Sequence, residues 1–246
     1  MRDVWRLVDS GMVRPPVSAA LDEAILEAHS DGAVPDTLHF YARSSPTVSV
    51  GYFQKVGETL DIDACRRFGV NIVRRASGGS SIYTDEGQLI YGLVVRSEEL
   101  PPTPEASFAV VCGAIARALS SLGIDARHRP VNDIEVGGRK VSGSAQLRRR
   151  GSVLQHGTII VDTDLAVMDS VLRHVDGPKP SERVTTLAAL LGSPPSMDEL
   201  KMRIQAAVSD AFGVRLEKGA LTDDEAGHAG RLVGERYSRD EWNLRL

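Results

Sequence analysis

Long apolar runs are missing from this sequence. None approaches the roughly 18 residues a membrane-crossing helix needs, although 42% of the 246 residues are hydrophobic. The opening segment, MRDVWRLVDSGMVRPP, lacks the apolar centre of a secretion signal, and a cytoplasmic location is expected. Cysteine is scarce, with only 2 residues. Cys65 and Cys112 do not have metal-ligand spacing, which removes a zinc module from consideration. Cys112, within FAVVCGAIARAL, reads as core filling. Cys65 stands beside two arginines that could lower its pKa, but no histidine is near in sequence and it too reads as structural. There is no basic excess: 29 Lys and Arg against 33 Asp and Glu leave a net charge of −4. General affinity for nucleic acid or anionic membranes is therefore not expected. The one basic run, Arg148 to Arg150 in QLRRRG, reads as a solvated hairpin turn, with a contact to an acidic protein as the alternative.

Repeats, low-complexity tracts and long linkers are absent as well. What is present is an interleaving of helical and strand patterns. Ser18 is a candidate cap for a helix to about Ser30, with Leu21, Ala24, Ile25 and Ala28 on one face. TVSVGYF (47–53) alternates as a strand. Asp61 caps a short helix ending at Gly69, and VNIVRR returns as a strand. LIYGLVV (89–95) is a strand-length apolar run. A long helix from about Pro104 to Leu122 places Phe108, Val111, Ile115 and Leu119 at core spacing.

A meander follows, in which 132–136 pairs with 139–146 through the Gly137–Gly138 turn. A second turn near Arg150–Gly151 leads into SVLQHGTIIVD. Further helices are expected over 164–175, 197–212 and 222–237, with a long loop at 176–186 suited to a lid. Tight hairpins between the middle strands exclude a purely parallel doubly wound sheet. The expected class is α+β: a mixed, mainly antiparallel sheet with helices around it.

Three clusters could carry chemistry. RRASGGSS, Arg74 to Ser81, follows a strand. Its glycines permit close backbone approach to a ligand, and its arginines could bind a phosphate or carboxylate. It fits neither the Walker nor the dinucleotide pattern, and a plain tight turn with surface arginines is the alternative. In NDIEVGGRKVSGSAQ, strand alternation predicts Lys140, Ser142 and Ser144 on one face. Such a lysine could hold phosphate and carboxylate oxygens together, and Asp133 could supply an oxygen to Mg²⁺. A hairpin with a polar solvent face is the bland reading. In QHGT, a lone strand histidine, His156, is usually structural, but the mid-strand Gly157 marks a bulge or close ligand approach.

Taken in order, RRASGG, NDI with GRKVSGSAQ, QHGTIIVDTDL and SERVTTL resemble the catalytic domain of lipoate–protein ligases. SVGYFQ upstream and RYSRDEWN at the end extend the resemblance over nearly the whole chain. It implies the biotin/lipoate ligase catalytic fold, class II synthetase-like, as one domain over 1–246. It also implies an enzyme that activates lipoate, or octanoate, with ATP and Mg²⁺ to an acyl-adenylate. The acyl group then passes to a lysine of a lipoyl-domain carrier protein.

By position, Lys140 would bridge the carboxylate and α-phosphate. Arg75, Ser77, Gly78 and Gly79 would line the lipoyl and adenylate pocket. Asn132 and Asp133 would face phosphate and metal. Ser142, Gly143, Ser144 and Ala145 belong to the lysine motif, and His156, Gly157 and Thr158 to the acyl site. Lys179 to Val184, with Arg183, would fold over the adenylate, where a lid protects a hydrolysable intermediate. The family's small accessory domain has no counterpart here, which implies a separate small accessory subunit.

Three positions depart from the family pattern: Ser80 for a third glycine, Thr84 where histidine is common, and Gln88 where asparagine is. Octanoyltransferases of the same superfamily use no ATP and pass the acyl group through a cysteine thioester. This chain has no cysteine in HRPVNDIEV or IIVDTDLAV, where that residue is expected. A non-catalytic lipoyl-binding protein is the third reading.

Overall fold

The computed structural model describes residues 3–174 and 177–246. β1 (Val4–Val13) and β2 (Thr37–Arg43) run parallel, joined by a helix over Pro15–Ser30. β3 (Thr47–Val50), β4 (Asn71–Arg74) and β5 (Ile82–Thr84) make a separate small sheet in the order β4-β3-β5. β6 (Gln88–Arg96) returns to the large sheet. β7 (Arg127–Arg129), β8 (Asp133–Val136), β9 (Arg139–Arg149) and β10 (Ser152–Ile160) follow as an antiparallel meander. β11 (Arg215–Lys218) pairs parallel to β1. The large sheet is eight-stranded, in the order β11-β1-β2-β6-β10-β9-β8-β7. The expected mixed, largely antiparallel sheet is what the chain forms.

Turn chemistry fixes the meander. Gly137 (φ 57°) and Gly138 (φ 78°) both occupy the left-handed region, as a two-residue hairpin turn demands. Arg150 (φ 45°) and Gly151 (φ 80°) make the next turn. Two arginines of the basic run there have internal acidic partners, Arg149 with Glu27 at 2.6 Å and Arg150 with Asp31 at 3.0 Å, while Arg148 donates to Ser107 Oγ.

Helix boundaries follow local rules with two corrections. The first helix starts at Pro15 rather than at a Ser18 cap, because proline suits the first helical position. Ser18 lies inside it, bonding the Pro15 carbonyl at 2.7 Å. Asp61 does cap its helix, over Ile62–Arg67, accepting from Ala64 N at 2.8 Å. Asp164 caps a helix over Leu165–Val171, shorter than expected; Val175 and Asp176 lie outside the described residues. The 177–186 loop holds a short helix, Pro180–Arg183.

Strand pairing defines two faces of the large sheet. On one, Ser144, Gly157, Tyr91 and Phe40 lie side by side across β9, β10, β6 and β2. This face joins the main core, where Phe108, Val111, Ile115 and Leu119 of the Pro104–Ser120 helix are buried with Leu200, Ile204 and Val208 of the Met197–Phe212 helix. On the other face the rows are Gly143–Thr158–Ile90–Tyr41 and Ala145–His156–Gly92–His39. The first helix covers part of it, packing Ile25 and Leu26 on Val94 and Leu154.

A bulge re-aims the lysine strand. Ile134 pairs with Ser142 but Glu135 with Lys140, leaving Val141 as the extra residue on β9. Strict alternation therefore fails, since an extra residue reverses which side chains share a face. Lys140 does not share a face with Ser142 and Ser144 as expected. It lies over Gly143, in the row facing the first helix, while Ser144 bonds the Tyr91 phenol at 2.7 Å on the core side.

Candidate active site

The arginine–glycine loop is held by its own arginines. Arg74 is fully buried and donates to the carbonyls of Gly51, Tyr52 and Gln54, and to those of Trp242 and Arg245 near the C-terminus. Arg75 donates to the carbonyls of Ser49 (2.8 Å), Gly78 (2.7 Å) and Ser80 (2.9 Å), and through Nε to Ser77 Oγ (3.1 Å). These guanidinium groups shape the loop instead of offering a free fork to an anion. Burial, then the like charge of Arg43, pulls Arg75 down to about 10, so it stays charged at neutral pH. Gly51 is required by the same loop: a Cβ there would stand 1.9 Å from the Gly79 carbonyl oxygen.

Under the loop runs a chain of hydrogen bonds. Ser77 Oγ meets His156 Nε2 at 2.6 Å, and His156 Nδ1 meets Asp22 Oδ2 at 2.7 Å. The Tyr41 phenol donates to the same carboxylate at 2.8 Å, and His39 stands 3.8 Å from its other oxygen. Burial alone would raise the Asp22 carboxyl. The hydrogen bonds and charges of His156 and His39 outweigh burial and hold it well below the usual range. Asp22 is thus a fixed buried anion that orients His156.

Lys140 is half-buried, and its Nζ lies 2.7 Å from Asp133 Oδ1. Arg129 takes the other oxygen of Asp133 at 2.8 Å. Both carboxylate oxygens are engaged by cations, and a Mg²⁺ ion at Asp133 would have to displace one. Among the described residues no cluster of three His, Cys, Asp or Glu could hold a metal ion. The 177–186 loop is tied to this strand: Val184 forms a parallel bridge with Lys140, and Thr185 N donates to the Lys140 carbonyl at 2.9 Å.

Lys140 lines two cavities. One runs under the glycine loop and is lined by apolar Ala19, Ile82, Ile90 and Leu154 and by polar Asp22, Tyr41, Arg43 and Thr84. Of the expected residues, Arg75, Ser77, Gly79, Asn132, Gly143, Ser144, Ala145, His156, Gly157 and Thr158 also line it. The other, of about 480 Å³, is open and basic, with Arg129, Arg173, Arg183 and His174 in its walls. Arg183 therefore reaches the site.

Gly78, Asp133, Ser142 and Lys179 line neither cavity. Gly78 sits under the Phe53 ring, Ser142 is buried on the core side, and Lys179 is exposed. The cysteines also stay outside. Both are buried, and burial pushes each thiol up to about 11.

Sequence reading missed Asp22, His39, Tyr41 and Arg43. The available signal was polar: an acid inside the apolar turns AALDEAIL, and charge within the strand TLHFYAR. The three departures have local partners. The Ser80 carbonyl receives Arg75, the Thr84 hydroxyl receives Arg43 Nη1 at 2.8 Å, and Gln88 Nε2 donates to the Tyr83 carbonyl at 3.1 Å.

Residues 14–209 match the model of the lipoyl protein ligase A/B catalytic domain. An octanoyltransferase LipM of Symbiobacterium thermophilum is 37% identical, with 100% of each chain covered. The LipM of Bacillus subtilis is 30% identical over 99% of each. Among solved structures, a lipoate-protein ligase A bound with ATP superposes with a TM-score of 0.87 at 29% identity, covering 99% of both chains. A bi-partite lipoate protein ligase from Thermoplasma acidophilum, studied with its E2 lipoyl domain, gives 0.85 at 28% identity, covering 99% of this chain and 96% of that one.

Proposed function

Since the chain belongs to the lipoyl protein ligase A/B catalytic-domain family, we propose that it is an ATP-dependent ligase. It converts lipoate or octanoate to acyl-AMP and transfers the acyl group to a lysine of a lipoyl carrier domain. The observation that carries this reading is the position of Lys140, whose side chain borders both the enclosed slot and the open basic cavity. An acid in the slot presents its carboxylate at Lys140, where the α-phosphate of a nucleotide in the basic cavity also arrives.

A carboxylate oxygen attacks the α-phosphorus and pyrophosphate leaves. The lysine charge offsets the negative charge gathered on the oxygens, a contact made most strongly in the transition state. The carrier amine then attacks the acyl carbonyl, AMP departs, and the amine gives up its proton as the amide forms. Mg²⁺ would neutralise the triphosphate, and no step here is assigned to a metal ligand of the chain. One catalytic unit over 1–246 and a separate small accessory subunit belong to the same proposal, the latter motivated by the bi-partite neighbour.

ATP-independent octanoyl transfer is the second reading, favoured by the description of the curated relatives as octanoyltransferases. It requires a covalent acyl carrier on the enzyme, and both thiols are buried and neither lines the slot, Cys112 lying behind its wall at 3.6 Å from Ser144 Oγ. Lipoate- or octanoate-dependent ATP–pyrophosphate exchange separates the two. Exchange that survives in a Cys65→Ala/Cys112→Ala variant supports the ligase. Octanoyl transfer from acyl carrier protein without ATP, lost in that variant, overturns it. Neither activity would leave a lipoyl-binding protein.

A further inference from the structure

The adenylation route leaves one part of the slot without a task. Ser77, His156 and Asp22 all line it and are joined by hydrogen bonds of 2.6 and 2.7 Å. Donor and acceptor roles along this chain are fixed at both ends. Arg75 Nε can only donate, and it donates to Ser77 Oγ at 3.1 Å, so the hydroxyl proton is directed to His156 Nε2. Asp22 is a buried anion that can only accept, which places the ring proton on Nδ1 and leaves Nε2 as the lone-pair nitrogen. The slot's other acid, Glu23, is engaged by Arg236 at 2.7 Å and by the Tyr237 phenol.

A hydroxyl, a neutral imidazole that accepts its proton and a carboxylate that holds the ring form the arrangement that activates a serine for acyl transfer. Nucleophile and base must lie within about 2.6–3.2 Å of each other, and the Ser77–His156 bond meets that. The Arg75 guanidinium beside Oγ favours negative charge there as the proton leaves. Ile82, Ile90 and Leu154 line the slot and suit an alkyl chain. Gly79 and Ser80 also line it and are exposed, so the serine end lies beside solvent, where a leaving group can depart.

We propose that Ser77 is an acyl-transfer nucleophile, which takes a medium-chain acyl group from a thioester and passes it to the carrier lysine without ATP. Oγ attacks the thioester carbonyl and its proton moves to His156 Nε2. The C–S bond breaks as that proton passes to the leaving sulfur, and an ester remains on Ser77. The neutral carrier amine then attacks the ester carbonyl. Its surplus proton goes to His156 and from there to Oγ as the C–O bond breaks, leaving the amide. Nothing is oxidised or reduced, and the thioester supplies the activation that ATP supplies for a free acid. Asp22 is a positioning residue, acting through the ring it holds. The proposal shares the slot and the carrier lysine with the ligase reading and does not depend on adenylate chemistry. It provides a covalent carrier in the slot, which the two buried thiols do not.

The test incubates the full chain with octanoyl-pantetheine and an apo lipoyl domain, without ATP, and follows octanoyl-lysine by mass spectrometry. Transfer is expected from wild type and from Cys65→Ala/Cys112→Ala, and should fall by about 10²–10⁴-fold in His156→Ala and at least as far in Ser77→Ala. Asp22→Asn should lower kcat while KM for the thioester holds. In acid-quenched samples the octanoyl group should sit on the peptide carrying Ser77 and resist neutral hydroxylamine, as an oxygen ester does. Ser77→Cys should make it hydroxylamine-labile, and this variant decides the matter if Ser77→Ala fails to fold in a circular dichroism melt. ATP-free transfer that is absent from wild type, undiminished in Ser77→Ala or lost with the two cysteines overturns the proposal. So does a Ser77→Cys enzyme that transfers without a labile adduct. ATP–pyrophosphate exchange on the same preparations keeps the readings apart. Its absence defeats the ligase alone, and exchange without ATP-free transfer defeats the Ser77 proposal alone.

Discussion

The closest test of the lysine's placement is a single methyl group added beneath it. A Cβ at Gly143 would lie 2.4 Å from both Cε and Nζ of Lys140 and 3.2 Å from Asp133 Oδ1. Comfortable carbon contacts are 3.5–4.0 Å, so the ammonium must retreat by about 1 Å. Misplacement on that scale costs about 10²-fold in rate, close to the 10²–10³ expected for removing the donor in Lys140→Ala. Folding should survive, because Gly143 is not among the positive-φ residues and the atoms in the way end a flexible chain. Alanine in a compatible conformation adds about 0.4–1 kcal/mol by restricting the unfolded state.

The assay is pyrophosphate exchange beside a thermal melt for Gly143→Ala, Lys140→Ala and the double variant. The expected pattern is an unchanged or higher Tm with exchange down about 100-fold, and a double variant no slower than Lys140→Ala. Near-normal exchange in Gly143→Ala would refute the assignment of Lys140. A collapsed Tm would refute the claim that the methyl group acts by displacement.

Three further outcomes follow from the same coordinates. Gly157→Ala would set a Cβ 2.6–2.7 Å from the Tyr91 ring and hydroxyl, which are buried; overpacking of this kind costs about 1–3 kcal/mol in a denaturant melt, and no loss would mean the strand yields. Asp22→Asn should lower stability at neutral pH, with the gap to wild type closing below about pH 4. The folded carboxyl lies below its ordinary 3.8, so its contribution is complete above that value and is lost as pH falls toward the folded one; a gap constant from pH 7 to 3 sinks this account. Both native thiols should resist iodoacetamide at pH 7, since burial raises each to about 11, and rapid labelling of either would show an access route absent from the structure.

Local chemistry was legible in the sequence; the faces and partners made by distant segments were not. The glycine turn, the Asp61 cap and the apolar spacing of Phe108, Val111, Ile115 and Leu119 are each set within a few residues. β1 escaped notice because its register with β2 shifts between Asp9 and Met12, around Gly11 (φ 61°), which interrupts alternation. β2 was hidden because TLHFYAR is buried almost throughout, so its histidine and arginine disguise an interior strand. The bulge at Val141 depends on pairing with β8 and leaves no period in the sequence. His156 was found but not its role, because Asp22 lies 134 residues away on another element. Its anion turns a lone strand histidine into an oriented one.

Arg74 links two regions that no motif connects. One guanidinium gathers carbonyls from the segment before the glycine loop and from the stretch ending at Arg245, while Asn243 Oδ1 accepts from the Arg74 amide at 2.9 Å. The tail is thus a keystone for the ligand-facing loop: what is engineered near Trp242 to Arg245 reaches the catalytic machinery through a handful of carbonyls, without touching a single residue that handles substrate.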